Sequence, residues 1–304
     1  MKKLILGLGL VVTSSLSAYS CDQCSCASSG FMGIVPQFGK HFVGLRYQFQ
    51  NFETRHFGSL ADDFTHDNSK EYFHTAELFG SYFPHKRVQL TASVPYAFRI
   101  QNSNAEGQFR SNGFGDARVG VNYTALATPD TLGKKVRHNI IVGAAFKAPT
   151  GAFKLRQDDE LLHPNLQPGS GSWDVEATAR YIVRIKRWGI SSLFNYRWNT
   201  TNALDYKFGD RMTGLLGGFY WTRHKSVTFM PQVALNFDYA FRDVENNRYQ
   251  DRTGGYQLSA RADLQVGYKR LITTVGYSQP LSFNLSNGEV SPKHQFNISI
   301  LILI

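Results

Sequence analysis

The sequence predicts an all-β fold: a single closed antiparallel transmembrane β-barrel of about 12 strands. Segment after segment alternates apolar with polar residues, the period of an extended strand with two unlike faces. Long polar connections alternate with tight turns, and the strand number is even, as in barrels that cross a membrane. Aromatic residues make up 14% of the chain, with 15 Tyr, 23 Phe and 27 Gly, a mixture that suits strands and turns better than helices.

At the start of the chain, Lys2 and Lys3 precede an apolar stretch from Leu4 to Val12 and the site Ala18-Tyr19-Ser20. That is the layout of a secretory signal peptide, assigned to residues 1–20. The stretch is too short for a spanning helix, which needs about 20 apolar residues, and no other run approaches that length. Residues 21–39 follow as a cysteine-bearing leader in the periplasm, and residues 40–304 as the barrel.

The first strand, FVGLRYQF at 42–49, sets Val43, Leu45, Tyr47 and Phe49 against Arg46 and Gln48. A second is read at 72–83. The third, VQLTASVPYAFR at 88–99, opposes Val88, Leu90, Val94 and Phe98 to Gln89, Thr91, Ser93 and Arg99. The fourth and fifth are read at 113–126 and 138–148. The sixth, WDVEATARYIVRIK at 173–186, is the plainest. Trp173, Val175, Tyr181, Val183 and Ile185 share one face, and Asp174, Glu176, Arg180 and Arg184 the other. Three more are read at 189–198, 212–221 and 227–241. The tenth, GYQLSARADLQVGY at 255–268, places Tyr256, Leu258, Leu264, Val266 and Tyr268 opposite Gln257, Arg261, Asp263 and Gln265. The last two are read at 271–283 and 293–304.

Long polar stretches at 53–71, 99–112, 149–172, 199–211, 242–254 and 284–292 follow the odd-numbered strands. Tight turns such as PHKR at 84–87 and KRWG at 186–189 follow most even ones, with a medium link after the fourth. Both termini then lie on the short-turn side. Tyr256 and Tyr268 share a face twelve residues apart, roughly 40 Å along a strand and about 30 Å of height at a tilt near 40°. Trp173, Trp188, Trp198 and Trp221 also fall near strand ends, where amphipathic rings suit the two membrane interfaces. A soluble sandwich would not explain the loop asymmetry or the long strands. A closed soluble barrel this wide could not be filled by side chains, since about eight strands already reach that limit. The apolar faces are therefore expected to meet lipid and the charged faces the lumen.

The formal net charge is +10, or +8 without Lys2 and Lys3. In an exported chain whose basic residues are spread over turns and strands, that charge does not indicate nucleic-acid binding. Inward polar faces would give a lumen lined by Arg46, Glu77, Arg99, Asp116, Arg118, Lys147, Asp174, Glu176, Arg180, Arg184, Arg197, Asp238, Arg261 and Asp263, eight basic and six acidic groups. Two readings stay open: a paired network that braces or occludes the barrel, and a charged constriction that selects solutes. Arg180 and Arg184, on one face about 13 Å apart, could join Arg197 and Arg46 or Arg261 in a basic eyelet that favours anions.

CDQCSC supplies Cys21, Cys24 and Cys26, all the cysteines of the chain. Short spacings let thiolates converge on a soft ion such as Cu(I) or Zn(II). A disulfide with one free thiol and an acylated Cys21 are the alternatives, the latter with a poor lipobox. A c-type haem needs C-x-x-C-H, and position 25 is Ser. His41, His56, His66 and His74 are near enough in sequence to assist a metal, although loop histidines are more often solvated. DDFTHD at 62–67 lacks the ligand periodicity of a calcium loop. Enzyme signals are weak: G-x-S-x-G and H-E-x-x-H do not occur, and neither His74 nor His138 has an adjacent serine.

NGFGDARVGVNYTAL (112–126), GAAFKAPTGAF (143–153) and LQPGSGSWDVEATARYIV (166–183) carry a G-x-G-D strand start, a K-x-P-T-G strand end and a Q-P-G-x-G-S-W loop. In this order they resemble the outer-membrane barrel family labelled meta-pathway of phenol degradation. The likeness is strongest over about 110–185, and CDQCSC followed by PQFGKHFVGLRYQF is similar to a Bacteroidetes-type subgroup. The resemblance implies a Gram-negative outer-membrane channel or transporter for small solutes or ions, porin-like, inserted into lipid by the barrel-insertion machinery. A closed structural or binding barrel is the alternative, and a barrel-wall enzyme a weaker one. One departure concerns insertion: the chain ends QFNISILILI rather than in an aromatic residue. From the residues alone, Gly113, Gly115 and Pro149-Thr150-Gly151 read as structural punctuation at the rim.

Overall fold

In a computed structural model, residues 40–56, 67–104, 107–128 and 136–304 are described. The wall is a closed antiparallel barrel of 12 strands. They are β1 (Phe42–His56), β2 (Asp67–His85), β3 (Val88–Ser103) and β4, in two pieces (Gly107–Phe114 and Ala117–Ala127). Then come β5 (Val136–Ala148), β6 (Asp174–Ile185), β7 (Trp188–Trp198) and β8 (Arg211–Tyr220, continued by Thr222–His224). The last four are β9 (Val227–Ala240), β10 (Gly255–Tyr268), β11 (Leu271–Leu285) and β12 (Val290–Leu303). Each pairs with its sequence neighbours, and β1 closes the ring on β12, with Phe42 opposite both Ser81 and Leu303. Closure removes the two unpaired edges that an open sheet would present to lipid.

Outward positions follow the alternation. Val43, Leu45, Leu78, Leu90, Val119, Val121 and Val175 are all exposed on the wall, a surface that only a hydrocarbon environment covers without cost. Rings bound this band at both ends: Tyr82, Tyr123, Trp188 and Tyr268 towards the short turns, Phe98, Phe114, Trp173, Trp198 and Tyr256 towards the long loops. Trp221 departs from the expected girdle. It packs inside the barrel on Ile182, Phe219 and Met230, because its odd number puts it on the inward face of β8 with Phe219.

The hairpins are longer than the apolar pattern. β1 and β2 stay paired from Phe42↔Ser81 to His56↔Asp67, and β3 and β4 to Ser103↔Gly107. Much of 53–71 and nearly all of 99–112, expected as loop, is therefore ladder. Backbone pairing needs no apolar side chain, so strands continue past the band where hydropathy stops marking them. Gly115 is likewise not at the rim but forms, with the inward Asp116, a bulge within the wall. Tyr96 pairs with Phe114 and Ser93 with Arg118, three steps on β3 against four on β4. The extra residue turns both Gly115 and Asp116 inward.

Candidate functional site

The three sequence motifs meet at one point inside the barrel. Lys147, the last inward residue of β5, reaches Asp116 at 3.2 Å and also contacts Asp174 and Ser170. The Asp116 carboxylate accepts from the Gly151 backbone N–H (3.0 Å), the Ser170 N–H (2.8 Å) and the Ser170 hydroxyl (2.7 Å). Asp174 accepts from the Ser172 hydroxyl (2.9 Å) and the Thr200 N–H (3.1 Å). Lys147 and both carboxylates are buried, so each charge needs its full set of partners. Gly151 and Gly169 let two backbones touch here: a Cβ on Gly169 would lie 2.6 Å from the Gly151 carbonyl carbon.

This knot anchors the segment 149–173 as a strap. Arg156–Gln157 and Glu160–Leu161 form a small hairpin, and Pro164–Leu166 a single 3-10 turn. The Gln167 side chain ties the two arms together, accepting from Leu155 N–H (2.9 Å) and donating to the carbonyls of Leu155 (3.0 Å) and Leu162 (2.9 Å). Leu162 and Leu166 then pack on Phe52, Phe73, Leu285 and Val290. Those four residues belong to β1, β2, β11 and β12, across the ring from the β5–β6 pair that launches the strap. The strap thus crosses the long-loop mouth. Beside it, the connections 199–210 and 241–254 share a three-stranded sheet, with Gly209 N–H donating to buried Asp243 at 2.7 Å.

Below the strap the lumen is charged. Glu176 accepts from Arg197 at 2.7 Å and faces Arg118 at 3.9 Å, and Arg46 is paired with Glu77. Arg46, Glu77, Arg118, Glu176, Arg180 and Asn195 border a cavity of about 120 Å³, smaller than the ~300 Å³ at which organic-ligand pockets begin. On the opposite wall Arg211 binds Asp238 (2.7 Å), and Arg261 binds Asp263 (2.8 Å) and Asn297 (2.9 Å). Arg99 lies over the Phe73 ring at 4.8 Å. Towards the short turns the inner face becomes apolar, with Phe42, Phe79, Ile272, Leu301 and Leu303 on one side and Ile182, Phe219 and Met230 on another.

The basic eyelet divides. Arg46, Arg118 and Arg180 share the cavity, whereas Arg197 sits with Glu176, Arg184 stacks on Trp221 at 5.2 Å near the short turns, and Arg261 is on the far wall. The sequence reading missed Arg137, Arg211 and Glu71, each just outside the strand bounds drawn from hydropathy. Their parity could have found them: Arg137 shares odd numbering with Lys147 on β5, and Glu71 with Glu77 on β2. Cys21, Cys24, Cys26 and His66 lie outside the described residues. His41 accepts from Phe83 N–H (3.1 Å) and stacks on Tyr82, and His74 bonds Tyr47 at 2.7 Å. Among the described residues no cluster of three His, Cys, Asp or Glu side chains has metal-binding geometry, and no helix is long and apolar enough to cross a membrane.

The family model described as "Putative MetA-pathway of phenol degradation" matches residues 86–286. Among solved structures, the COG4313 outer membrane channel from Pseudomonas putida F1 aligns at a TM-score of 0.62 and 14% identity, covering 87% of this chain and 96% of that one. The transport unit of autotransporter AIDA-I from Escherichia coli aligns at 0.47 and 10% identity, covering 90% and 94%. The translocator domain of NalP from Neisseria meningitidis aligns at 0.45 and 11%, covering 88% and 90%. A comparison with curated protein sequences finds no match.

Proposed function

The chain belongs to the family described as "Putative MetA-pathway of phenol degradation", and from that premise we propose that it is a narrow channel for small solutes in a bacterial outer membrane. The observation that carries this reading is a cavity bordered by charged side chains within a closed wall whose outer face is apolar. Pairing alone would brace the wall; the three guanidiniums and two carboxylates round this cavity go beyond it. The inward charges are its selective surface, and the cavity that Arg46, Glu77, Arg118, Glu176 and Arg180 border admits small ions and solutes rather than macromolecules. The solved channel that aligns over most of this chain supports the same assignment by fold. Both termini and the short turns face the periplasm, the strap faces outside, and the barrel-insertion machinery delivers the chain to the bilayer. The protein acts by passage, without catalysis.

A closed barrel is the second reading, favoured by the strap's apolar seal on Phe52, Phe73, Leu285 and Val290. Single-channel recording of the refolded protein in a planar bilayer decides between them. Discrete conductance steps are expected. A folded, heat-modifiable barrel that gives no steps would remove the channel reading and leave the closed one.

A further inference from the structure

We propose that a second lumenal site, near the short turns, binds small organic monocarboxylates that carry an apolar body. The proposal rests on the channel reading for how such a solute arrives, and on separate residues for its recognition. On β9, Gln232 is only 3% exposed, yet neither its amide nitrogen nor its oxygen has a hydrogen-bond partner in the protein. Gln265 on β10 is 5% exposed with a free carbonyl oxygen, and the indole nitrogen of Trp221 is buried without an acceptor. Buried donors and acceptors left unmade are costly, so groups of this kind are met by water or by a solute that displaces it.

These side chains are contiguous. Phe219 is in register with Gln232, and Met230 with Gln265; Trp221 packs on the Phe219–Met230 cluster. Gly189 gives the Phe219 ring its seat on the wall, since a Cβ there would lie 2.2 Å from it. Charge selects the ligand. Arg184 lies over Trp221 at 5.2 Å and pairs in register with Arg137, so two like charges that repel start from neighbouring positions on the wall. An anion between them relieves that repulsion and takes charge-assisted hydrogen bonds. Asp263, in register with Gln232, is committed to Arg261 at 2.8 Å. A carboxylate meets the guanidiniums and accepts from the Gln232 amide N–H, its apolar body meets Phe219 and Met230, and the amide oxygens of Gln232 and Gln265 keep to water. A cation is repelled, and an inorganic anion leaves the apolar wall unused.

The test is calorimetric titration of the refolded full chain in non-ionic micelles with hexanoate, acetate and 1-hexanol. Saturable hexanoate binding is expected, about tenfold weaker in Arg184→Gln and in Gln232→Leu, the loss of one hydrogen bond to a charged or buried group. Acetate and 1-hexanol are expected to bind at least about tenfold more weakly than hexanoate, each lacking half of the recognition. No saturable binding, equal binding of the three probes, or hexanoate affinity unchanged in both variants overturns the proposal. Hexanoate binding without conductance would sink the channel reading alone, and conductance without hexanoate binding would sink the site alone.

Discussion

At the scale of single residues, Lys147 is the cation that joins two buried carboxylates. It neutralises Asp116 and Asp174, which between them hold the backbone of Gly151, Ser170 and Thr200. Replacing it with methionine keeps the length and removes the charge, leaving two buried carboxylates facing each other. Lys147→Met is expected to destabilise the folded barrel by about 3–5 kcal/mol, the cost of stripping one partner from a buried ion pair. The check is the midpoint of denaturant unfolding by heat-modifiable gel mobility; a midpoint equal to the parent would deny the knot its role. Inwardness of Lys147, Asp116 and Asp174 was legible from alternation alone. Their convergence was not, because Asp116 reaches its place through a bulge that shifts the parity of β4 by one, and nothing in the residue pattern marks the slip.

At the scale of elements, the strands were legible wherever one face is apolar and invisible where both faces are polar, which is why β1 to β4 run on past the expected ends. The strap was legible only as a loop. Leu162 and Leu166 look like scattered apolar residues in a polar stretch, and the surfaces they bury against lie about 90 to 130 residues away on either side. Their fit can be tested directly. Leu162→Ser with Leu166→Ser forfeits roughly 1.5–3 kcal/mol of burial per side chain, enough to undock the strap's tip while the Lys147 knot still holds its base. Unit conductance in the bilayer is expected to rise severalfold, with the unfolding midpoint lowered only modestly. An unchanged conductance would mean the strap does not limit the passage.

At the scale of the whole molecule, the lumen has a charge balance rather than a single selective residue. Three guanidiniums (Arg46, Arg118, Arg180) and two carboxylates (Glu77, Glu176) border the cavity. An excess of fixed positive charge in a narrow aqueous passage raises the local anion concentration. Arg180→Gln removes that excess without touching the Arg46–Glu77 or Arg197–Glu176 pairs. Under a salt gradient the reversal potential of the parent is expected to show anion preference, and that of the variant to move toward zero. A variant with unaltered selectivity would shift attention from the cavity to the mouth.

The strap also carries information about assembly. Its landing residues, Phe52, Phe73, Leu285 and Val290, come from the first two and the last two strands, so they flank the seam where β1 meets β12. Before that seam zips, half of the landing surface does not yet exist. Strap docking is therefore the terminal event of maturation: a chain stalled with an unzipped seam keeps its middle loop undocked and open to proteases, and a sealed one hides it.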